Sequence, residues 1–249
     1  MSKVFCLFLI FVFLSFEGFS ATEIPKQLSE SNRLEALKIL GLGTAAKILT
    51  NPYPLGGHEG LEVGLSSEYL QVGDLSRLGA GTNSGSELNF YSLSLTKGTY
   101  YNLDTAISFT LFNQEENVST YNGQVRWGFY QAEFLPLSFG IHVYGGGTNF
   151  DDLIFTQTLG VDLVSSISVD DVTLYFGSGV VRSWGTFVGG ANGVTKANPG
   201  QTSGITEGAT VFETHSVLGL NVDFSKLFFA IQVDRYYLPV YSFKLGYRF

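Results

Sequence analysis

From residue 60 to its last residue the chain alternates apolar and non-apolar residues at period two, in ten successive runs. Leu61, Val63, Leu65 and Tyr69 interleave with Glu62, Gly64, Ser66 and Glu68. The last run sets Tyr241, Phe243, Leu245, Tyr247 and Phe249 against Ser242, Lys244, Gly246 and Arg248. Period two is the mark of a β-strand, whose side chains point alternately to opposite faces. The distribution of charge then says what each face meets. On the apolar parity the only charged residues are Lys97 and Arg235, each at the end of a run. The other parity carries seven acids (Glu62, Glu68, Asp104, Asp162, Glu213, Asp223, Asp234) and three bases (Arg126, Lys244, Arg248), set among Gly, Ser and Thr. A soluble sandwich buries its apolar face and scatters charge on the outer one. An apolar face almost free of charge opposite a small, polar one is instead the pattern of a barrel with lipid outside and a polar lumen. Each run is about ten residues, the length that crosses a bilayer at a steep tilt.

The reading is therefore all-β: a transmembrane up-and-down antiparallel barrel over residues 60–249, of ten strands, with eight or twelve as alternatives. Connection lengths fit it. The links 72–86, 113–120, 145–153 and 184–209 fall on one side, with a short one at 236–240. The links on the other side, 97–102, Leu135-Pro136, Asp170-Asp171 and Ser225-Lys226, are tight. Long outer loops over short periplasmic turns is the asymmetry of outer-membrane barrels. Tyr69, Tyr91, Tyr121, Tyr144, Phe155, Phe212, Tyr237 and Tyr241 sit near strand ends and are expected to form the interfacial girdles.

Residues 1–20 read as a secretory signal peptide: Lys3, an apolar run from Val4 to Phe16, then Gly18 and Ser20 ahead of Ala21. Cys6 lies inside it, so the mature chain has no thiol chemistry. Residues 21–59 form a separate extension. Asn32 with Glu35 resembles a capping box, and Leu34 to Leu49 favours helix until Asn51-Pro52 stops it. The apolar stripe is blurred, and Gly41 and Gly43 weaken the middle. A periplasmic or interfacial helix is the favoured reading of residues 31–50; a lumen plug and a tether are the alternatives. A helix with its side chains is about 10–12 Å across, which makes a plug difficult in a ten-strand barrel.

The final run, Tyr241, Phe243, Leu245, Tyr247 and terminal Phe249, resembles the C-terminal assembly signal of Gram-negative outer-membrane β-barrel proteins. That resemblance implies residence in the outer membrane, contact with its lipid, and recognition by the barrel-assembly machinery and periplasmic chaperones. It implies no activity.

Function is less legible. A net charge of −8 with no basic block excludes nucleic acid as a partner, since phosphates need Lys and Arg. No motif calls for a cofactor or a metal. Up-and-down topology places Glu68, His142, Glu213, His215 and Asp234 near the outer mouth, with Glu213 and His215 close to Asp234. An acid beside a histidine there would orient a general base for surface hydrolysis. The close Asp-x-Asp and Asp-x-His pattern of omptin-type outer-membrane proteases is absent, however, and the strands look too short to lift a site clear of the membrane. Arg248 should approach Glu62 where the barrel closes, and Lys244 and Arg126 have acids in reach. Glu62, Glu68, Asp104, Arg126, Asp162, Asp223, Lys244 and Arg248 thus become either lumen-filling ion pairs or a constriction whose excess of acids favours cations. Three functions follow in order: a non-enzymatic barrel with a structural or surface-interaction role through loops 72–86 and 184–209, where an extracellular ligand would bind; a narrow cation-preferring pore; and a surface hydrolase.

Overall fold

The computed structural model describes residues 24–25, 28–55, 57–58, 60–79, 87–113, 118–188 and 206–249. The expected signal peptide, residues 80–86 of the first long link and residues 189–205 of the last one lie outside the described residues. Ten strands form one closed barrel: β1 (Leu61–Gln71), β2 (Glu87–Gly98), β3 (Leu103–Asn113), β4 (Val118–Gln131), β5 (Leu137–Phe150), β6 (Ile154–Val169), β7 (Val172–Val188), β8 (Thr206–Phe224), β9 (Leu227–Arg235) and β10 (Pro239–Arg248). Each is antiparallel to the next, and β1 closes on β10 in a register running from Glu62 opposite Arg248 to Leu70 opposite Val240.

The face assignment follows the alternation. Outward on β7, Val172, Leu174, Phe176 and Val180 are exposed; outward on β8, Leu218 and Phe224 are exposed. Inward on the same strands, Tyr175, Ser183, His215 and Asn221 are almost entirely buried. Large apolar side chains left exposed around a closed ring of strands are what a lipid-facing wall requires.

Three expectations about the wall are corrected. The link 145–153 is not a long loop, because β5 and β6 stay paired up to Phe150 opposite Ile154. Tyr144 is not a girdle residue: it is 1% exposed, inside the barrel. The strands are also not uniformly short. β6, β7 and β8 have 16, 17 and 19 residues, against 9 and 10 for β9 and β10. Outward polar residues above Val180 and Leu218, among them Arg182, Thr186, Thr210 and Thr214, mark where the tall side leaves its apolar band.

The largest correction concerns residues 28–55, which run down the lumen rather than beside the barrel. Helix α1 (Glu30–Ala36) is capped by Ser29, whose hydroxyl accepts from the Asn32 N–H at 3.3 Å, so the cap lies three residues before the one expected. A π-helical turn, Leu37–Gly41, follows, and the chain then leaves helical geometry by Ala45. Residues 39–50 are all buried. The size objection fails because the chain is helical only near the outer end, and because its residues are small where it touches the wall. A Cβ at Gly41 would lie 2.5 Å from Ser183 Oγ, and one at Gly43 2.6 Å from Leu70 Cδ1.

Glycines on the inward parity do the same for lumen aromatics. Tyr175 is fully buried over Gly219, where an added Cβ would come within 2.1 Å of its Cζ. Its hydroxyl is held by Gln232 at 2.7 Å, so the ring has little freedom to yield. Gly219→Ala should therefore destabilise the barrel by about 1–3 kcal/mol, as overpacking does. The denaturant midpoint of the folded protein in detergent checks this, with Gly123→Ala, which meets nothing within 4 Å, expected to be near neutral.

Candidate functional site

The polar parity of the strands and the threaded segment together build three levels of contacts inside the barrel. At the end with the tight turns, Glu62 accepts from Lys244 (2.8 Å), Arg248 Nε (3.1 Å) and the Thr50 hydroxyl (2.8 Å). Arg248 also donates to Thr50 at 3.0 Å and pairs with Asp223. On the adjacent strands β3 and β4, Arg126 meets Asp104 at 3.1 Å and donates to the Asn51 carbonyl, while the Leu55 N–H donates to Asp104 at 3.0 Å. The expected approaches of Arg248 to Glu62, and of Lys244 and Arg126 to acids, are thus present. Thr50, Asn51 and Leu55 join them from the threaded segment, where the sequence carries no signal of that role.

At mid-height His215 lies between two carboxylates, with Nδ1 2.9 Å from Asp162 and Nε2 2.9 Å from Asp234. Gln232 donates to both oxygens of Asp234 at 2.8 Å and accepts from Tyr175 and from the Leu49 N–H. The Tyr236 ring stacks on His215 at 4.2 Å, and Tyr144 meets the ring at its edge, its hydroxyl 3.2 Å from Nδ1. His142 stacks on Tyr144 and contacts Gln124 at 2.6 Å. The proximity of His215 to Asp234 matches the reading of the β8–β9 hairpin, but the height does not. Asp162 and His215 lie midway along β6 and β8, both at most 2% exposed, with the threaded segment between them and the outer end.

Toward the outer end, three bases of the segment each meet an acid of the wall. Lys47 lies 3.1 Å from Glu68, Lys38 pairs with Glu213, and Arg33 is 3.7 Å from Glu207. Glu213 therefore joins Lys38 rather than the His215 cluster. Thr148 donates to Thr44 at 2.9 Å from the β5 wall. Above these, Leu28, Leu37 and Leu40 of the segment share one apolar core with Val72, Leu75 and Leu78 of the β1–β2 link, and with Phe150, Ile154 and Phe187 of the wall.

Each of the seven acids that parity assigned inward thus has a partner in the structure, as does Glu207, and each of the three bases has an acid. Carboxylates held this way are tied to partners where they stand, with Asp162 and Asp234 sharing the single His215 between them. His215 has a similar limit. A general base needs a free ring nitrogen, and both of its nitrogens face carboxylate oxygens, which can only accept. Among the described residues no cluster of His, Cys, Asp and Glu is arranged to hold a metal ion. Lys47, Gln232, Tyr175 and Tyr236 were missed by sequence reasoning. Gln232 and Tyr175 were legible as inward by parity, whereas Lys47 and Tyr236 lie outside any alternating run.

The sequence matches no protein-family model and no curated protein. Among solved structures the chain is similar to Ail, the attachment invasion locus protein of Yersinia pestis, at 14% identity over 76% of this chain and 97% of that one, with a TM-score of 0.31. It is similar to the N-terminal β-barrel domain of Pseudomonas aeruginosa OprF at 11% identity, over 78% and 99% of the two chains, TM-score 0.37. It is also similar to the outer-membrane protease OmpT of Escherichia coli at 9% identity, over 77% and 97%, TM-score 0.41. These neighbours are Gram-negative outer-membrane β-barrels of differing activity, and at such identities and scores no activity passes from them to this chain.

Proposed function

We propose that this chain is an outer-membrane barrel of a Gram-negative bacterium, closed by its own N-terminal segment, which acts without catalysis as a structural or surface-interaction protein. The observation that carries the reading is the complete burial of residues 39–50 inside the ring of strands, with Lys47, Thr50 and Asn51 tied to wall residues. A segment that fills the lumen and satisfies its polar groups removes the water-filled path that a porin needs. The same burial argues against a hydrolase, because substrate cannot reach His215 beneath the segment and neither ring nitrogen is free. Contact with partners, and with any extracellular ligand, then falls to the outer end, where β1 is joined to β2 and where Val188 ends β7 and Thr206 begins β8. In this reading outward Tyr241, Phe243 and Tyr247, with terminal Phe249, serve as the assembly signal read by the barrel-assembly machinery after export by the residue 1–20 leader. Outer-membrane lipid covers the apolar band.

The test is current across a planar bilayer containing the refolded, detergent-purified protein under a salt gradient. Folded protein should give no steady steps. Regular steps with a cation-selective reversal potential would replace this reading with that of a pore.

A further inference from the structure

Residues 28–55 thread the barrel in one direction. Leu55 and Asn51 lie at the tight-turn end, against Asp104 and Arg126. Lys47 is at the level of Glu68, Lys38 at Glu213, and Arg33 at Glu207, next to the first residue of β8 at the outer end. Ile24 and Leu28 pack with Leu75 and Leu78 of the β1–β2 link and with Leu153 between β5 and β6, all on the opposite side from the tight turns. The chain therefore crosses the whole barrel before β1 begins, and it does so from the long-link end toward the short-turn end.

We infer that the lumen is a conduit for the chain's own N-terminal segment, which enters from the outer face at Ile24, while β1 starts and β10 ends on the periplasmic side. This rests on the outer-membrane reading for which end faces out, and extends it. The barrel thereby opens the N-terminal end of its own threaded segment to the surface. Up-and-down barrels with an even strand number leave both barrel ends on one side; here the segment carries one chain terminus through to the other. Two physical requirements follow. The N-terminal end must be free before it passes, which demands removal of an apolar leader that would otherwise hold it in a membrane. The wall must also close around the segment, since α1 and the Leu37–Gly41 turn touch β6, β7 and β8. At the β1–β10 seam Thr50 of the segment is bonded directly to Glu62.

The electrostatics fit a dedicated passage rather than a chance insertion. The three bases of the segment, Arg33, Lys38 and Lys47, fall against three wall acids in the same order along the barrel. The two glycines of the segment fall where its backbone comes closest to Ser183 and Leu70.

The experiment places a short epitope tag directly ahead of Ile24 in the full-length exported protein, and in separate proteins within residues 80–86 and after Glu133 in the β4–β5 turn. Antibody binding is read on intact and on permeabilised cells. The tags ahead of Ile24 and within 80–86 should both label intact cells, and the tag after Glu133 only permeabilised ones. Labelling of the 80–86 tag on intact cells, with the tag ahead of Ile24 reached only after permeabilisation, overturns the conduit while leaving the orientation standing. Labelling of the Glu133 tag on intact cells in place of the 80–86 tag overturns the orientation, and the surface terminus with it. Should a tag ahead of Ile24 prevent folding, the untagged protein decides. A membrane-impermeant amine reagent on whole cells should modify the mature N-terminal peptide, and an unmodified peptide overturns the inference.

Discussion

A barrel carrying Lys47→Ala should pass current where the native protein should pass none. Lys47 is the mid-lumen tie of the threaded segment. Its ammonium lies 3.1 Å from Glu68, donates to the Gly43 carbonyl at 3.0 Å and also to that of Ala45, so all three of its protons are placed. Its side chain is 1% exposed and that of Glu68 13%. Removing one partner of a buried ion pair costs about 3–5 kcal/mol, because the other charge stays behind without compensation. Glu68 would recruit water and cations into the space that Lys47 leaves, so steps of cation-preferring current should appear. Lys38→Ala is the contrast. Lys38 and Glu213 are 32% and 27% exposed, so water already screens the pair, and its loss should cost about 1 kcal/mol or less. That variant should stay closed. Adding Glu68→Gln to Lys47→Ala should restore much of the closure, since no charge is then left alone. A silent Lys47→Ala barrel would mean that the apolar packing of Leu37, Leu40 and Leu42 holds the segment by itself.

The wall was legible for a local reason. Period two is imposed by the strand itself, so parity assigned Glu62, Asp104, His215 and Asp234 to the inside without knowledge of the fold. The closing pair was legible too, because β1 and β10 must meet in a closed barrel and their charges sit near the same end. The height of the His215 cluster was not, because composition changes before pairing does. β7 continues through Trp184, Gly185 and Thr186 to Val188, and β8 begins at Thr206, although residues 184–209 read as loop. Strand pairing there is a tertiary fact, supplied by the neighbouring strand rather than by the residues' own pattern. The threaded segment was misplaced for an opposite reason. A surface helix announces itself by one apolar stripe, whereas a segment enclosed on every side has no polar face to define one. Its blurred stripe and its small residues, Gly41, Gly43, Ala45 and Ala46, were the signal of enclosure, but the two glycines read only as weak helix propensity.

The same segment makes Glu62 the most consequential single side chain in the barrel. It is completely buried, and it joins three parts of the chain: β1, which carries it; β10, through Lys244 and Arg248; and the threaded segment, through Thr50. Glu62→Ala would leave Lys244, itself 4% exposed, with no carboxylate, and would leave Arg248 with Asp223 alone. The expected loss is about 3–5 kcal/mol, a shift in the folding equilibrium of about a hundred- to several-thousand-fold. It should appear as a lower denaturant midpoint and as loss of the compact, heat-sensitive band on gels run without boiling. Lys244→Met should cost clearly less, because Glu62 keeps Arg248 and Thr50, and the methionine end can lie over the Phe228 ring, where the Lys244 ammonium now sits. That asymmetry separates a hub from an ordinary pair, in which the two partners would matter equally. If Glu62→Ala proves no worse than Glu213→Ala, the seam is held by its backbone ladder from Glu62–Arg248 to Leu70–Val240 alone, and the charges at its base only fill space.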